Sequence, residues 1–342
     1  MMTIRVLIID DSPTMRAILM TRLSREADIS VIGTAANAAE GRELIKQCNP
    51  DVVTLDIEMP GMNGLDFLEK IMALRPTPVI IVSGATQAGA EITARALALG
   101  AVDCYAKSDS SGGLPLDDNG QLANLVREAA QVQFNNRQPI SPAMCSVNRG
   151  PPRSETSLIA IGSSTGGVEA LQVLLSCFPV DCPPTVIVQH VNPCFAAAIA
   201  KTLDLASPAT VQLAEPDMPL KRGNIYLAPG GDRHLTVGGT ASFYARLRTG
   251  EPISGHQPSV DALFGSVAAT VGADAVGILL TGMGSDGARG LLAMAQAGAH
   301  TIAQDEASCT VFGMPRAAIS LGAAAIVAPI NRIAQHALKK AA

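Results

Sequence analysis

The stretch LIAIGSSTGGVEALQVLL, residues 158–175, carries an apolar run, a turn of small residues and a helical pattern in immediate succession. An unbroken apolar run reads as a strand buried on both faces, and a helix following it within a few residues reads as half of a βαβ unit in a parallel sheet. The turn between them, GSSTGG, lifts the Ser164 hydroxyl clear of the backbone beside a helix N-terminus, whose unpaired N–H groups suit developing negative charge. A phosphate or dinucleotide loop would have a similar composition, but GSSTGG lacks the GxGxxG spacing and carries no Lys.

Two further strand ends complete a set. His190 closes the apolar run Thr185–Gln189, and Asp286 lies in TGMGSDGARG just past the run Val276 to Leu280. A lone His after a strand is often structural, and an Asp among glycines is often a turn residue. All three nevertheless fall at strand carboxyl ends, where open α/β sheets build their sites. Nucleophile, base and orienting carboxylate are what acyl transfer requires. The chain order Ser, His, Asp differs from the Ser, Asp, His order of α/β-hydrolases, so the expected triad sits on another fold.

Upstream, apolar runs at Ile4 to Ile9, Ile29 to Gly33, Val52 to Leu55, Val79 to Val82 and Ala101 to Tyr105 alternate with helical patterns at Pro13 to Glu26, Ala38 to Cys48, Gly64 to Leu74 and Ala90 to Leu99, and an amphipathic segment follows at Leu122 to Phe134. This is a (βα)5 pattern, expected to be a doubly wound sheet. Residues 135–155, rich in Pro, Asn, Ser and Arg, read as a linker between a first domain at 1–134 and a second at 156–342. Within the second, Gly223 to Leu247, with Gly230-Gly231 and Gly238-Gly239, reads as short antiparallel strands.

The first domain carries its own constellation. Asp10 and Asp11 follow the first strand, Asp56 the third, Ser83 the fourth and Lys107 the fifth, so all face one rim. Converging carboxylates repel one another, and a divalent cation on an all-oxygen site, Mg²⁺, would hold them ionised. Asp56 would then be the nucleophile towards a phosphoryl group and Lys107 the partner of its oxygens.

Composition bounds the alternatives. The chain has 342 residues, a net charge of −5 and 3% aromatics with no Trp. No Lys/Arg block appears, which argues against nucleic acid or an anionic membrane as partner, and aromatic scarcity argues against a base-stacking platform. The sequence offers no signal peptide and no bilayer-spanning run, so a cytoplasmic protein without membrane insertion is expected. Seven scattered cysteines without a CxxC pair are expected to be reduced thiols rather than a disulfide framework or a zinc site.

IIDDSPTMR, Asp56 followed by IEMPGMNG, and Ser83 closing PVIIVS resemble the response-regulator receiver domain. AIGSSTGG, VQHVNP, YLAPGGDRH, PSVDALF, LTGMGSDGA and QDEASCTVFGMPRAA resemble the chemotaxis protein-glutamate methylesterase family, CheB. The resemblance implies a flavodoxin-like receiver followed by a doubly wound, Rossmann-like esterase domain. It places the triad on Ser164, His190 and Asp286, and the oxyanion donor on the Met283 backbone N–H, with Thr165 as further support. It puts the phosphoacceptor on Asp56, metal carboxylates on Asp10, Asp11 and Asp56, and phosphorylation-site support on Ser83 and Lys107. It further implies a serine carboxylic-ester hydrolase acting on glutamyl methyl esters of methyl-accepting chemotaxis receptors, with receptor glutamines as amide substrates. A chemotaxis histidine kinase would be the phosphodonor, Mg²⁺ would serve phosphorylation, and ester hydrolysis would need no cofactor. The unphosphorylated receiver is expected to cover the esterase site. Departures from the pattern are Ser108 after Lys107, Cys104 at the usual switch-aromatic position with Tyr105 next to it, and Ser285 before Asp286. A receiver-controlled binding module with an inactive esterase-like domain is the rival reading; a DNA-binding regulator would need a basic recognition helix.

Overall fold

The structure is a computed structural model that describes residues 3–59, 64–84, 86–107, 118, 120–132, 158–240 and 242–338. The chain divides into two compact units, Met1–Phe134 and Asn135–Ala342. The segment read as a linker, 135–155, and Ser108 lie outside the described residues.

In the first unit, β1 (Ile4–Ile9), α1 (Pro13–Leu23), β2 (Ile29–Ala35), α2 (Ala38–Cys48), β3 (Val52–Asp56), α3 (Gly64–Leu74), β4 (Val79–Ser83), α4 (Gln87–Ala98), β5 (Asp103–Ala106) and α5 (Gln121–Ala129) alternate along the chain. The sheet is parallel in the order β2-β1-β3-β4-β5. The order reverses between β1 and β3, so Asp10, which follows β1, and Asp56, the last residue of β3, flank the switch-point crevice. Helix α1 starts at Pro13, a residue suited to the first helical position, and Ser12 caps it by accepting from the Met15 N–H.

The second unit contains β6 (Leu158–Ser163), α6 (Gly167–Ser176), β7 (Thr185–Gln189), α7 (Pro193–Ala206), β8 (Thr210–Leu213), β9 (Asn224–Leu227), β10 (Arg233–Gly238), β11 (Tyr244–Thr249), α8 (Val260–Thr270), β12 (Ala275–Leu279), α9 (Ala288–Gln296), β13 (His300–Gln304), α10 (Met314–Ser320), β14 (Ile326–Ala328) and α11 (Ile330–Leu338). Among the described residues, a seven-stranded parallel sheet runs β14-β13-β12-β6-β7-β9-β8. Its switch point lies between β6 and β12, the strands that lead to Ser164 and Asp286. The expected antiparallel segment divides in two. β9 joins the parallel sheet against β7 and β8, and only β10 and β11 form an antiparallel hairpin. Glycine turns marked the chain reversals, but turn residues do not say which partner a short strand takes.

The core explains why the central strands read so plainly. Every residue of β3, β4, β6, β7 and β12 is buried. On one side of the second sheet, Val260, Leu263, Phe264 and Val267 of α8 join Leu158, Ala160, Leu279 and Leu291 in one apolar cluster. At about 25 cal/mol per Å² of apolar surface removed from water, burial of such side chains is the main term holding helix to sheet. Cys177 departs from the reduced-thiol expectation: it is disulfide-bonded. Cys48, Cys104, Cys182, Cys194 and Cys309 are free thiols.

Candidate active site

Ser164 follows β6 in a turn that admits little variation. Gly166 caps α6 with φ +73°, and a Cβ there would collide with Thr310 Oγ1. Gly282 lies across the switch point, where a Cβ would stand 2.6 Å from Ser164 Cβ. The backbone ties the two sides together: the Ser164 N–H donates to Thr281 O at 3.0 Å and the His190 N–H to Ser163 O at 3.0 Å. Met283 is the next residue after Gly282, the residue that lies against Ser164. Thr165 is buried, and its carbonyl accepts from Thr281 Oγ1 at 3.0 Å.

His190 Nε2 lies 2.9 Å from Asp286 Oδ2. Asp286 is fully buried. Its Oδ1 accepts from Ser259 Oγ at 2.8 Å and from the N–H groups of Asp261 and Gly287, each at 3.1 Å. Its Oδ2 also accepts from the Val260 N–H at 2.7 Å. Ser259, Val260 and Asp261 are the N-terminus of α8, so the carboxylate occupies the position that a helix offers to an anion. Burial alone would raise its pKa. The His190 contact and the donors from Val260 and Ser259 outweigh burial and hold the carboxyl below its ordinary value. An ionised Asp286 accepts from Nε2–H, which leaves the Nδ1 lone pair as the basic site of the ring. That Nδ1 is buried and has no hydrogen-bond partner among the described residues.

Three supports were not singled out in the sequence. Gln189, beside His190, donates through Nε2 to Ser164 O at 2.8 Å and His190 O at 3.0 Å, while its Oε1 accepts from Ser163 Oγ at 2.6 Å. One buried amide therefore sets the spacing between the serine turn and the histidine. Ser259 reaches Asp286 from 27 residues away. His256 stacks on His190 with ring centroids 3.9 Å apart and planes 6° from parallel. PSVD is readable as a helix start, but the carboxylate that this start would serve is a tertiary fact.

The first unit brings its expected residues to one pocket. Asp10, Asp11 and Asp56 each offer an oxygen within 4.8 Å of the others. Asp10, Asp56 and Ser83 are buried. Lys107 Nζ lies 2.5 Å from Asp56 Oδ2 and 3.0 Å from Asp10 Oδ2. Burial raises the Asp10 pKa, opposed by Lys107 and reinforced by the Asp56 charge. For Lys107, burial acts downward, and its bonds to Asp56 and Asp10 carry it above the ordinary lysine value instead. A pocket of three converging carboxylates has the donor set of a hard divalent cation, and Asp10, Asp11 and Asp56 fit Mg²⁺. At the switch-aromatic position Cys104 is buried, whereas the Tyr105 hydroxyl donates to Asp118 Oδ2 at 2.9 Å and accepts from Arg22.

The fold thus defines a two-unit chain with a phosphoacceptor-type pocket at the switch point of one parallel sheet and hydrolase-type groups at the switch point of the other. Residues 159–337 match the family described as CheB methylesterase, and residues 6–114 match the response regulator receiver domain. The chain belongs to the CheB methylesterase family. It is 52% identical over 323 residues, 94% of each chain, to a Caulobacter vibrioides protein named protein-glutamate methylesterase/protein-glutamine glutaminase 1. It is 51% identical to a Rhizobium etli protein named protein-glutamate methylesterase/protein-glutamine glutaminase, over 98% of this chain and 96% of that one. The crystal structure of the Thermotoga maritima CheB methylesterase catalytic domain shares 34% identity with a TM-score of 0.52, covering 53% of this chain and 97% of that chain.

Proposed function

We propose that this protein is a phosphorylation-activated protein-glutamate methylesterase that hydrolyses γ-glutamyl methyl esters on chemotaxis receptors and deamidates receptor glutamines. The observation that carries the reading is the His190–Asp286 pair, which leaves Nδ1 of the same ring buried and without a hydrogen-bond partner among the described residues. In the proposed reaction His190 Nδ1 takes the proton as Ser164 Oγ attacks the ester carbonyl. Asp286 fixes the tautomer and balances the imidazolium. The Met283 N–H binds the oxyanion, and Thr165 supports the turn; one such donor is worth roughly 2.7–4 kcal/mol. The proton passes to the departing methanol, and water then resolves the acyl-enzyme by the same route in reverse. Glutamine would react identically, with ammonia leaving.

In the receiver, Asp56 accepts the phosphoryl group, Lys107 pairs with its oxygens and Ser83 responds to them. Mg²⁺, held by Asp10, Asp11 and Asp56, would neutralise charge on the entering phosphoryl group. The phosphodonor is a chemotaxis histidine kinase. We take residues 1–134 as receiver, 135–155 as linker and 156–342 as catalytic domain, working in the cytoplasm, where kinase and receptor signalling domains meet. Among the described residues no helix is long and apolar enough to cross a membrane. An inactive esterase-like binding module is not favoured, since the relatives are named as hydrolases over nearly the whole chain. The test is methanol release from a methylated receptor, with and without a small-molecule phosphodonor and Mg²⁺. Release that depends on Ser164 and rises with the phosphodonor supports the reading; no release in either condition rejects it.

A further inference from the structure

We infer that His256 is a positioning residue for proton transfer, its imidazole backing the face of the His190 ring. The inference rests on His190 being the general base. Among the described residues that ring is hydrogen-bonded at Nε2 alone, and a ring held covalently at Cγ and by this one bond can still tilt about the line through the two atoms. A flat partner 3.9 Å away and 6° from parallel closes off the swing on that side. It also lies where charge will appear: once His190 carries the serine proton, its imidazolium rests against the π-face of a neighbouring ring.

A chance surface contact would need no scaffold, and His256 has one. Ile253 and His256 exchange backbone hydrogen bonds of 3.1 and 3.0 Å across Ser254 and Gly255. Those two central residues have φ +54° and +82°, the signature of a tight two-residue hairpin turn. His256 Nδ1–H donates to Ser254 O at 2.9 Å, which sets the ring's rotation. The next residue, Gln257, donates its amide to Asp232 O at 2.8 Å and Gly250 O at 2.7 Å. His234 Nε2 holds Glu251 O at 3.0 Å while its Nδ1 accepts from the Ser259 N–H at 3.1 Å. The turn that carries His256 is therefore braced to the hairpin β10–β11 and, through Ser259, to the same helix N-terminus that binds Asp286.

A metal centre is the other use for His190, His256 and Asp286, whose ligand atoms lie within 4.8 Å of one another. The stack speaks against it. Imidazole lone pairs lie in the ring plane, so two nearly parallel rings point them side by side, not at one tetrahedral centre.

The experiment uses the full-length chain, activated by phosphodonor and Mg²⁺. It follows methanol release from methylated receptor and, independently of receptor binding, labelling of Ser164 by a fluorophosphonate. His256→Ala should lower kcat about tenfold with KM within about twofold, and slow labelling in proportion. His256→Phe, which keeps the flat partner, should recover most of kcat. His256→Asn, which keeps a side-chain donor for Ser254 O but no ring, should stay low. A kcat for His256→Ala within about twofold of the parent overturns the inference, and so does Asn rescuing as well as Phe. If His256→Ala does not fold, the Phe and Asn variants decide between them by the same criterion. Ser164→Ala run alongside separates the two readings: turnover in that variant sinks the triad itself. Its silence beside unaffected His256 variants sinks the stacking role alone.

Discussion

Asp286 shows how much of the site is electrostatic before any substrate arrives. Its carboxylate is fully buried, yet the donors around it keep the charged form favoured. A folded-state pKa below the ordinary 3.8 means that the ionised carboxylate adds stability that is fully present above 3.8 and is lost as pH falls through the lower folded value. Asp286→Asn should therefore be less stable than the parent at pH 7, with the gap narrowing below about pH 3.8. Urea midpoints at pH 7 and near pH 3 check this, and a gap independent of pH would contradict it. Catalytically, Ser164→Ala should abolish methanol release with folding intact, because Ala occupies the same turn. Ser164→Ala, His190→Ala and the two combined should each lose on the order of 10³-fold or more, without summing, since such groups act as one unit. Turnover measurements on the single and double variants decide it. The positions of Ser164 and His190 were legible in the sequence because each directly follows a strand, and that of Asp286 because its glycine-rich loop follows β12. His256 and Gln189 were not, since a stack or a bridging amide leaves no pattern in one dimension.

Helix α8 does two jobs with one residue. Ser259 Oγ accepts from the Ala262 N–H at 3.3 Å as N-cap and donates to Asp286 Oδ1 at 2.8 Å. Ser259→Ala should cost about 1–2 kcal/mol of stability and also reduce kcat, whereas Ser259→Thr should restore both. Denaturation and turnover, measured on both variants, would show the two losses separating if the bond to Asp286 had no bearing on the reaction. The elements themselves were mostly readable. Parallel strands covered on both faces are written as apolar runs, and β1, β3 and β7 begin and end close to where those runs do. Helix ends were less so: α1 stops at Leu23, with Ser24 already as C-cap, although the polar residues beyond it continue the pattern. The Asn224–Leu227 strand was read as antiparallel and pairs parallel, because four residues carry too little pattern to name a neighbour.

At the scale of the whole chain, the two switch-point sites should be coupled. Phosphodonor with Mg²⁺ should raise methanol release by the full-length protein, and the rise should vanish in Asp56→Asn. A fragment starting near Glu155 should be faster than the unphosphorylated full-length chain and indifferent to phosphodonor. A folded fragment no faster than the intact protein would shift the account towards assembly or recruitment. The geometry of the second unit also bears on how it comes into being. Ser164, His190 and Asp286 belong to three different strand ends, and Ser259 to a fourth segment; the His190–Asp286 bond alone spans 96 residues. Long-range pairings close late, because the loop between them must be ordered first. A chain truncated after Thr270 would still hold the serine and the histidine but would lack β12, the strand that seats beside β6 and carries the chain to Asp286. During refolding from urea, recovered turnover should therefore follow the slowest phase of circular dichroism and never precede it. The arrangement makes activity a clock for the last docking event, silent in every partly folded species that would otherwise expose a reactive serine to the wrong ester.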